Sequence, residues 1–372
     1  MPSPKRRQRD ERDGPLMARS TGRRLYLVFD DWSWGYSIHE LRLSLSPGHQ
    51  RRSRRPVDRR LPLPRPFIRM EAPRECPSFF SAVGTRIIAT HHRNSFDDDS
   101  VPERFLPIVD VRSRGVTFGP GLLCPHLPIY LPVGDELFSL DTYAFSMLSL
   151  EPLWPPRLEH KCGSDIREWS WCELQKQPFN RLDVTSYAVH SDGQTILVST
   201  SAAIFAFDTV ARGWKLLVGG WPLPFTGRAH FVHALKAYVG LSKDPATLGH
   251  LCLCEEAAVT GGPHRWFLGR EKLFSEDPAE THAGATLVYI GGSEFCLVEG
   301  VSIGDGNADQ NLKESEEVPR RSSYCCRLTT FSLSLDNDGG LTTGGTYLVK
   351  CYKVPEETTE TFFLADPVAF WL

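Results

Sequence analysis

The stretch Tyr187-Ala188-Val189-His190-Ser191-Asp192-Gly193-Gln194-Thr195-Ile196-Leu197-Val198 reads as two apolar strands around a tight turn. Gly193 marks the turn, because a two-residue hairpin needs positive φ and glycine adopts it without a Cβ clash. The same design stands upstream in Phe80-Ser81-Ala82-Val83-Gly84-Thr85-Arg86-Ile87-Ile88-Ala89 and in Ile129-Tyr130-Leu131-Pro132-Val133-Gly134-Asp135-Glu136-Leu137-Phe138. Downstream, Gly291-Gly292-Ser293 joins Leu287-Val288-Tyr289 to Phe295-Cys296-Leu297, and a turn around Leu235-Lys236 does so without glycine. Stretches with apolar residues at helical spacing are almost absent. Short runs rich in Val, Ile, Tyr, Phe and Thr, bounded by Gly, Asp, Asn and Pro, follow one another from end to end. The chain therefore reads as all-β.

A second recurrence sharpens the period. Val109-Asp110-Val111-Arg112-Ser113-Arg114-Gly115-Val116 matches Phe207-Asp208-Thr209-Val210-Ala211-Arg212-Gly213-Trp214. In each, the Asp carboxylate is expected to cap the turn and the Gly to reverse the chain. Together the recurrences predict six units, near 23–70, 78–120, 127–180, 183–225, 227–274 and 281–354. Spacings near ~45–50 residues are those of four-stranded propeller blades, so the predicted fold is a β-propeller of six blades, with seven as the alternative. Thr361 to Trp371 lies beyond the sixth unit, while the first unit is one strand short. The expectation is that this C-terminal strand joins the first blade and closes the ring, against the alternative that it packs elsewhere. The stretches 47–63 and 302–322 are polar insertions, read as mobile, and residues 1–22 read as a disordered basic tail.

Composition limits the function. The chain has 372 residues, 41% of them hydrophobic, with nine Trp and 21 Phe, which excludes a wholly disordered protein. No run approaches the ~18 apolar residues of a membrane span. The charged N-terminus is not that of an exported chain, so a cytoplasmic or nuclear location is expected. Net charge is -3, yet residues 1–70 hold 17 Lys/Arg against 7 Asp/Glu, and the remainder 25 against 38. The basic runs Lys5-Arg6-Arg7-Gln8-Arg9 and Arg51-Arg52-Ser53-Arg54-Arg55 could serve nuclear import or phosphate binding, but a solvated tail and loop are the plainer reading. The ten cysteines are read as free thiols in a reducing compartment, since Cys252, Cys254, Cys325 and Cys326 fall inside strand-like runs.

The run Arg24 to Trp32, with Gly35-Tyr36-Ser37-Ile38 and Asp183 to His190, resembles a plant, chiefly grass, family of unknown function, the domain of unknown function numbered sixteen sixty-eight. Gly227-Arg228-Ala229-His230, Val239-Gly240-Leu241-Ser242, Gly249-His250-Leu251-Cys252 and Pro367-Val368-Ala369-Phe370-Trp371 fit the same family. The resemblance covers residues 23–372 and implies a kelch-like or F-box-associated type of propeller, with no catalytic residues to carry over. No F-box helices precede the first strand.

Motifs for chemistry are weak. Cys252-Leu253-Cys254 and Cys325-Cys326 lack zinc-ribbon spacing, and His230 and His233 would point to opposite faces of a strand. His91-His92 is no stronger. Asp305-Gly306-Asn307-Ala308-Asp309 with Glu316 imitates a calcium loop but has Gln310 where the turn needs Gly. Asp97-Asp98-Asp99 reads as a connecting loop and Asp336-Asn337-Asp338-Gly339-Gly340 as hairpin chemistry. Neither a Gly-x-Ser-x-Gly elbow nor a phosphate-binding loop is present. Trp169, Trp171, Trp214, Trp221 and Trp266 are expected to fill wedges between blades. No residue is assigned as catalytic, cofactor-binding or metal-ligating, and no cofactor is expected. The reading is a monomeric, non-enzymatic scaffold that presents a propeller face to a protein or peptide partner, with no membrane and no nucleic acid. Its rivals are a hydrolase or lyase using loop carboxylates, and a nucleic-acid-associated protein using the basic arm.

Overall fold

Strand pairing repeats at the predicted period. The computed structural model describes residues 23–32, 35–43, 60–71, 78–91, 105–120, 126–149, 171–303, 323–336 and 339–372. The first unit holds β1 (Leu25–Trp32), β2 (Gly35–Leu41) and β3 (Pro66–Glu71). The second holds β4 (Ser78–Val83), β5 (Arg86–His91), β6 (Phe105–Asp110) and β7 (Gly115–Pro120). The third holds β8 (Ile129–Val133), β9 (Glu136–Leu140), β10 (Phe145–Ser149) and β11 (Trp171–Glu173). The fourth holds β12 (Val184–Val189), β13 (Thr195–Thr200), β14 (Ala203–Asp208) and β15 (Gly213–Gly219). The fifth holds β16 (Phe225–Val232), β17 (Ala237–Ser242), β18 (His250–Glu255) and β19 (Trp266–Lys272). The sixth holds β20 (Glu280–Gly291), β21 (Glu294–Ile303), β22 (Ser323–Leu335) and β23 (Leu341–Lys353), and β24 (Ala369–Trp371) ends the chain. Among the described residues two single-turn α-helices, α1 (Glu256–Val259) and α2 (Glu360–Phe363), and two 3-10 turns, Arg181–Asp183 and Pro245–Thr247, interrupt the pattern.

Within each unit consecutive strands pair antiparallel, and β24 pairs antiparallel with β1 through Leu25–Trp371, Tyr26–Phe370 and Leu27–Ala369. The C-terminal strand thus supplies the strand that the first unit lacks. The fourth and fifth units differ from the expected separate four-stranded sheets, because they share one eight-stranded sheet. The cause lies in β16: Thr226 pairs with Leu241 and His230 with Val239, so Gly227, Arg228 and Ala229 oppose Gly240 alone. A bulge leaves backbone groups without their ladder partner. Here Gly227 and Arg228 pair in parallel with Ser186 and Tyr187 of β12. No sheet among the described residues closes on itself.

Middle strands of a unit carry apolar residues on both faces because both faces are covered. Every residue of β17 is buried, whereas the outer strands β15 and β19 are largely open. Among the described residues six hydrophobic clusters lie between the units. One joins Val28 and Ile38 of the first to Ile87 and Val109 of the second, and another Ile88 to Leu137 of the third. Phe145 then packs with Phe207 of the fourth, Leu197 with Cys252 of the fifth, and Leu253 with Leu297 of the sixth. The last cluster joins Val298 and Leu328 of the sixth unit back to Leu25 and Leu27 of the first.

The turn glycines behave as read: Gly84, Gly134, Gly193 and Gly292 have φ of +57°, +58°, +71° and +62°. At the glycine-free turn, Lys236 itself takes φ +49°. The Asp-x-x-x-Arg-Gly turns carry a correction. Asp110 accepts from the backbone N–H of Arg112 and Ser113, and Asp208 from Val210 and Ala211, as a capping carboxylate should. The left-handed residue is the arginine, Arg114 at +58° and Arg212 at +53°, and not the glycine, which already starts the next strand opposite its Asp.

The end of the first insertion is likewise not loose: Leu61 bridges to β23, its N–H donating to Cys351 O at 2.8 Å, and Leu61 and Leu63 pack on the cluster between first and sixth units. Ser302 and Ile303 belong to β21. The tail 1–22, both basic runs, 44–59 and 304–322 lie outside the described residues.

Candidate functional site

One strand of each unit faces a common space, the first strand in the second to sixth units and β24 in the first. Phe80 of β4, Tyr130 of β8, Tyr187 of β12, Arg228 of β16, Leu287 of β20 and Phe370 of β24 all line a cavity of about 1100 Å³. Most of its wall is aromatic or aliphatic, and the charge-bearing side chains on it are Asp30, Arg228, His230, His282 and Asp366.

These groups differ in how they are held. Asp30 is 2% exposed and accepts from Thr359, from its backbone N–H at 3.0 Å and from its hydroxyl. That ties the approach to α2 onto β1. His282 lies 3.1 Å from the carboxylate of Glu299 and stacks on Phe274 at 4.0 Å between ring centres. The Nε2–H of His230 donates to Leu287 O at 3.0 Å. Burial above all, and then the neighbouring Arg228 guanidinium, push its pKa down to about 3, only partly offset by that carbonyl. His230 is accordingly a neutral imidazole near pH 7.

Asp366 accepts from the backbone N–H of Ala285 at 3.1 Å, and burial raises its pKa against that hydrogen bond. Next to it, the Thr286 hydroxyl donates to Pro367 O at 2.6 Å, so the C-terminal segment is held to β20 as well as to β1. Arg228 is enclosed by protein, yet its side chain is open to the water space of the cavity. Burial lowers its pKa, and among the described residues its guanidinium has no ion pair or hydrogen bond. Tyr187, its partner across β12 and β16, has its pKa raised by burial despite the guanidiniums of Arg228 and Arg181.

The residues singled out from sequence do not gather here. Cys252 and Cys254 are fully buried between the fourth and fifth units, and burial raises both thiols, Cys254 to about 12. Cys325 and Cys326 point to opposite faces of β22, into different clusters. The Cys325 thiol hydrogen-bonds Cys351, which raises the pKa of Cys325 and lowers that of Cys351. His233 meets the Phe231 ring at 4.9 Å, apart from His230 in the cavity. Asp336 caps its hairpin by accepting from Gly340 N at 2.7 Å. Trp214 fills the wedge between third and fourth units against Phe145 and Phe207, and Trp171 packs between second and third. Trp221 packs between the fourth and fifth, stacked on His264. Trp266 corrects the expectation: it is 47% exposed on the outer strand β19. The side chains of His91 and His92, Asp97 to Asp99, the stretch Asp305 to Asp309, and Trp169 lie outside the described residues. No group of three or more His, Cys, Asp or Glu that could hold a metal occurs among the described residues.

Sequence reasoning overlooked a polar cluster at the β12–β13 turn. His190 Nδ1 lies 3.2 Å from Ser191 Oγ, and the Ser191 hydroxyl donates to Glu256. A nucleophilic relay needs the acid on the far nitrogen of the imidazole. Here Glu256 accepts the serine hydrogen bond itself and stands 3.9 Å from His190 Nε2, too far to hydrogen-bond it, so the cluster fastens the β12–β13 turn to α1. Arg228 was within reach of the sequence as part of Gly227-Arg228-Ala229-His230, but nothing local marks the bulge that aims it.

No helix among the described residues is long and apolar enough to cross a membrane. No curated protein matches the chain. Among solved structures it is similar to a chain of the nidogen/laminin complex, 9% identical with a TM-score of 0.46, covering 94% of this chain and 98% of that one. It is also similar to a protein of unknown function from Bacteroides thetaiotaomicron, 13% identical, TM-score 0.39, covering 75% of this chain and 61% of that one. The DUF1668 model, described as a protein of unknown function, matches residues 22–352, and the chain therefore belongs to that family.

Proposed function

We propose that this chain is a non-enzymatic, kelch-like propeller of six blades that recognises a partner at its central cavity. The observation that carries the reading is that one strand from every unit lines a single cavity. The six clusters between units, taken in cyclic order from first to sixth and back, support the ring. A rigid sheet framework with a largely apolar cavity and a few placed polar groups is the usual form of a binding site.

Binding fits the wall better than bond-breaking does. General acid–base work calls for groups poised near the working pH. The imidazole of His230, with its pKa near 3, is a poor base at neutrality, and Asp30 is occupied by Thr359. His282 is engaged by Glu299 and stacked on Phe274, which leaves Asp366 as a single carboxylate with a raised pKa. We place the protein in the cytoplasm or nucleus as a monomer.

The test is capture of a partner by the full chain. Phe370→Ala in the cavity wall should abolish capture, whereas Leu216→Ala on the open strand β15 should leave it intact. Capture unaffected by the cavity substitution, or chemical turnover of the captured ligand, would overturn the reading.

A further inference from the structure

The bulge in β16 is built at some expense. Gly227 takes φ +66°, and a Cβ on the opposing Gly240 would come 2.9 Å from the Phe225 ring and 3.2 Å from Ala229. Both positions therefore favour glycine, one for its backbone and one for lack of space. What the arrangement delivers is Arg228, placed on the cavity wall beside Tyr187. Bulges that re-aim a side chain are frequent next to functional sites.

Arg228 brings a fixed positive charge into an enclosed space with no anion of the described protein against it. A guanidinium stays charged in such a place, so an anion entering the cavity meets a standing positive charge. Its planar fork matches a carboxylate with two parallel hydrogen bonds. The surroundings narrow the anion further. His230 is neutral, and Asp366 on the same wall disfavours a second negative charge. The rings of Tyr130, Tyr187, Tyr289, Phe80 and Phe370 offer apolar contact for the remainder of a ligand.

We propose that Arg228 anchors a carboxylate in the central cavity, and that the natural ligand is a monoanion whose acid group is joined to an apolar or aromatic body. The proposal rests on the recognition reading above and names its chemistry. The acid can be a free small molecule or the terminus of a peptide, since the fork sees the same two oxygens.

The experiment is calorimetric titration of the full chain with benzoate, benzyl alcohol, inorganic phosphate, and the tripeptide Gly-Gly-Phe as free acid and as amide. Benzoate should bind and benzyl alcohol should not. Arg228→Gln should weaken benzoate about tenfold or more, and Arg228→Lys, which keeps the charge but loses the fork, by about severalfold. The lysine variant also serves if the glutamine variant does not fold. Tighter binding of the peptide acid than of benzoate, with no binding of its amide, assigns the acid to a peptide, and the reverse order assigns it to a small molecule. No benzoate or peptide-acid binding up to about 10 mM, equal benzoate affinity in both variants, or preference for phosphate would overturn the proposal. Binding of benzoate that ignores Arg228 would leave partner recognition standing. Cleavage of methyl benzoate would instead overturn the non-enzymatic reading and leave the anchor in place.

Discussion

The backbone N–H of Arg24 donates to the carbonyl of Leu372 at 2.7 Å, and the N–H of Leu372 donates back to Arg24 at 3.0 Å. The two ends of the described chain thus form a reciprocal antiparallel pair. The flanking side chains Val368, Ala369, Phe370 and Trp371 enter the clusters on either side of the first unit. Deleting residues 367–372 should therefore strip two clusters at once. The expected loss is at least about 3–5 kcal/mol, comparable to removing a large buried side chain, or failure to fold. Urea denaturation followed by far-ultraviolet circular dichroism measures it, and an unchanged midpoint would contradict the pairing.

Two glycines with similar backbones separate the steric effect from the conformational one. Gly249 has φ +85° and a Cβ there would lie 2.7 Å from the Phe274 ring, while Gly339 has φ +77° with nothing within 4 Å. Gly339→Ala should cost about 1 kcal/mol for left-handed backbone alone. Gly249→Ala should cost about 2–4 kcal/mol, because Phe274 is itself buried and overpacking is added. Equal midpoint shifts in the two variants would refute the close approach.

Glu299 is 1% exposed and accepts from Arg327 Nη1 at 3.0 Å and from Ser275 N at 3.1 Å, with His282 Nδ1 at 3.1 Å. Glu299→Leu leaves a largely buried guanidinium without its anion and should destabilise the fold by about 3–5 kcal/mol. Adding Arg327→Met should recover part of that loss. A double-mutant cycle reads the coupling, and strictly additive effects would show that the pair is not one unit.

His230 predicts a pH dependence. Its unfolded pKa is 6.5 and its folded value about 3, so below 6.5 the unfolded chain holds a proton that the folded chain refuses. The associated stability is intact above pH 6.5 and is lost as pH falls toward 3, by about 1–2 kcal/mol at pH 5. The lowered carboxyls of Asp31, Asp110 and Asp192 act in a separate window, below their ordinary 3.8. Between pH 6.5 and 4.5, His230→Gln should flatten the stability curve, and an unaltered slope would contradict a buried neutral imidazole.

What could be read in advance was what depends on neighbours in sequence. The hairpins at Gly84, Gly134 and Gly193 follow from local turn chemistry, and the unit boundaries follow from them. The Asp110 and Asp208 caps were legible for the same reason. Placing positive φ on Arg114 and Arg212 was not, because glycine in the next position offered the cheaper guess. Glu299 gave no signal, since its partners come from three separate segments. Arg228 was visible as a letter but not as a site. Its placement depends on Gly240 and on β12, and neither can be matched to it without the strand register.

The proposed ring of six units around the Arg228 cavity requires the chain's two ends to meet in one sheet, as Arg24 and Leu372 do. Hydrogen–deuterium exchange on the full chain reads that pairing, through peptides covering 24–30 and 365–372. The amides of Arg24 and Leu372, which donate to one another's carbonyls, should be protected together and released at one common denaturant concentration. Exchange of 369–372 at the rate of free chain, while 24–30 stays protected, would contradict it.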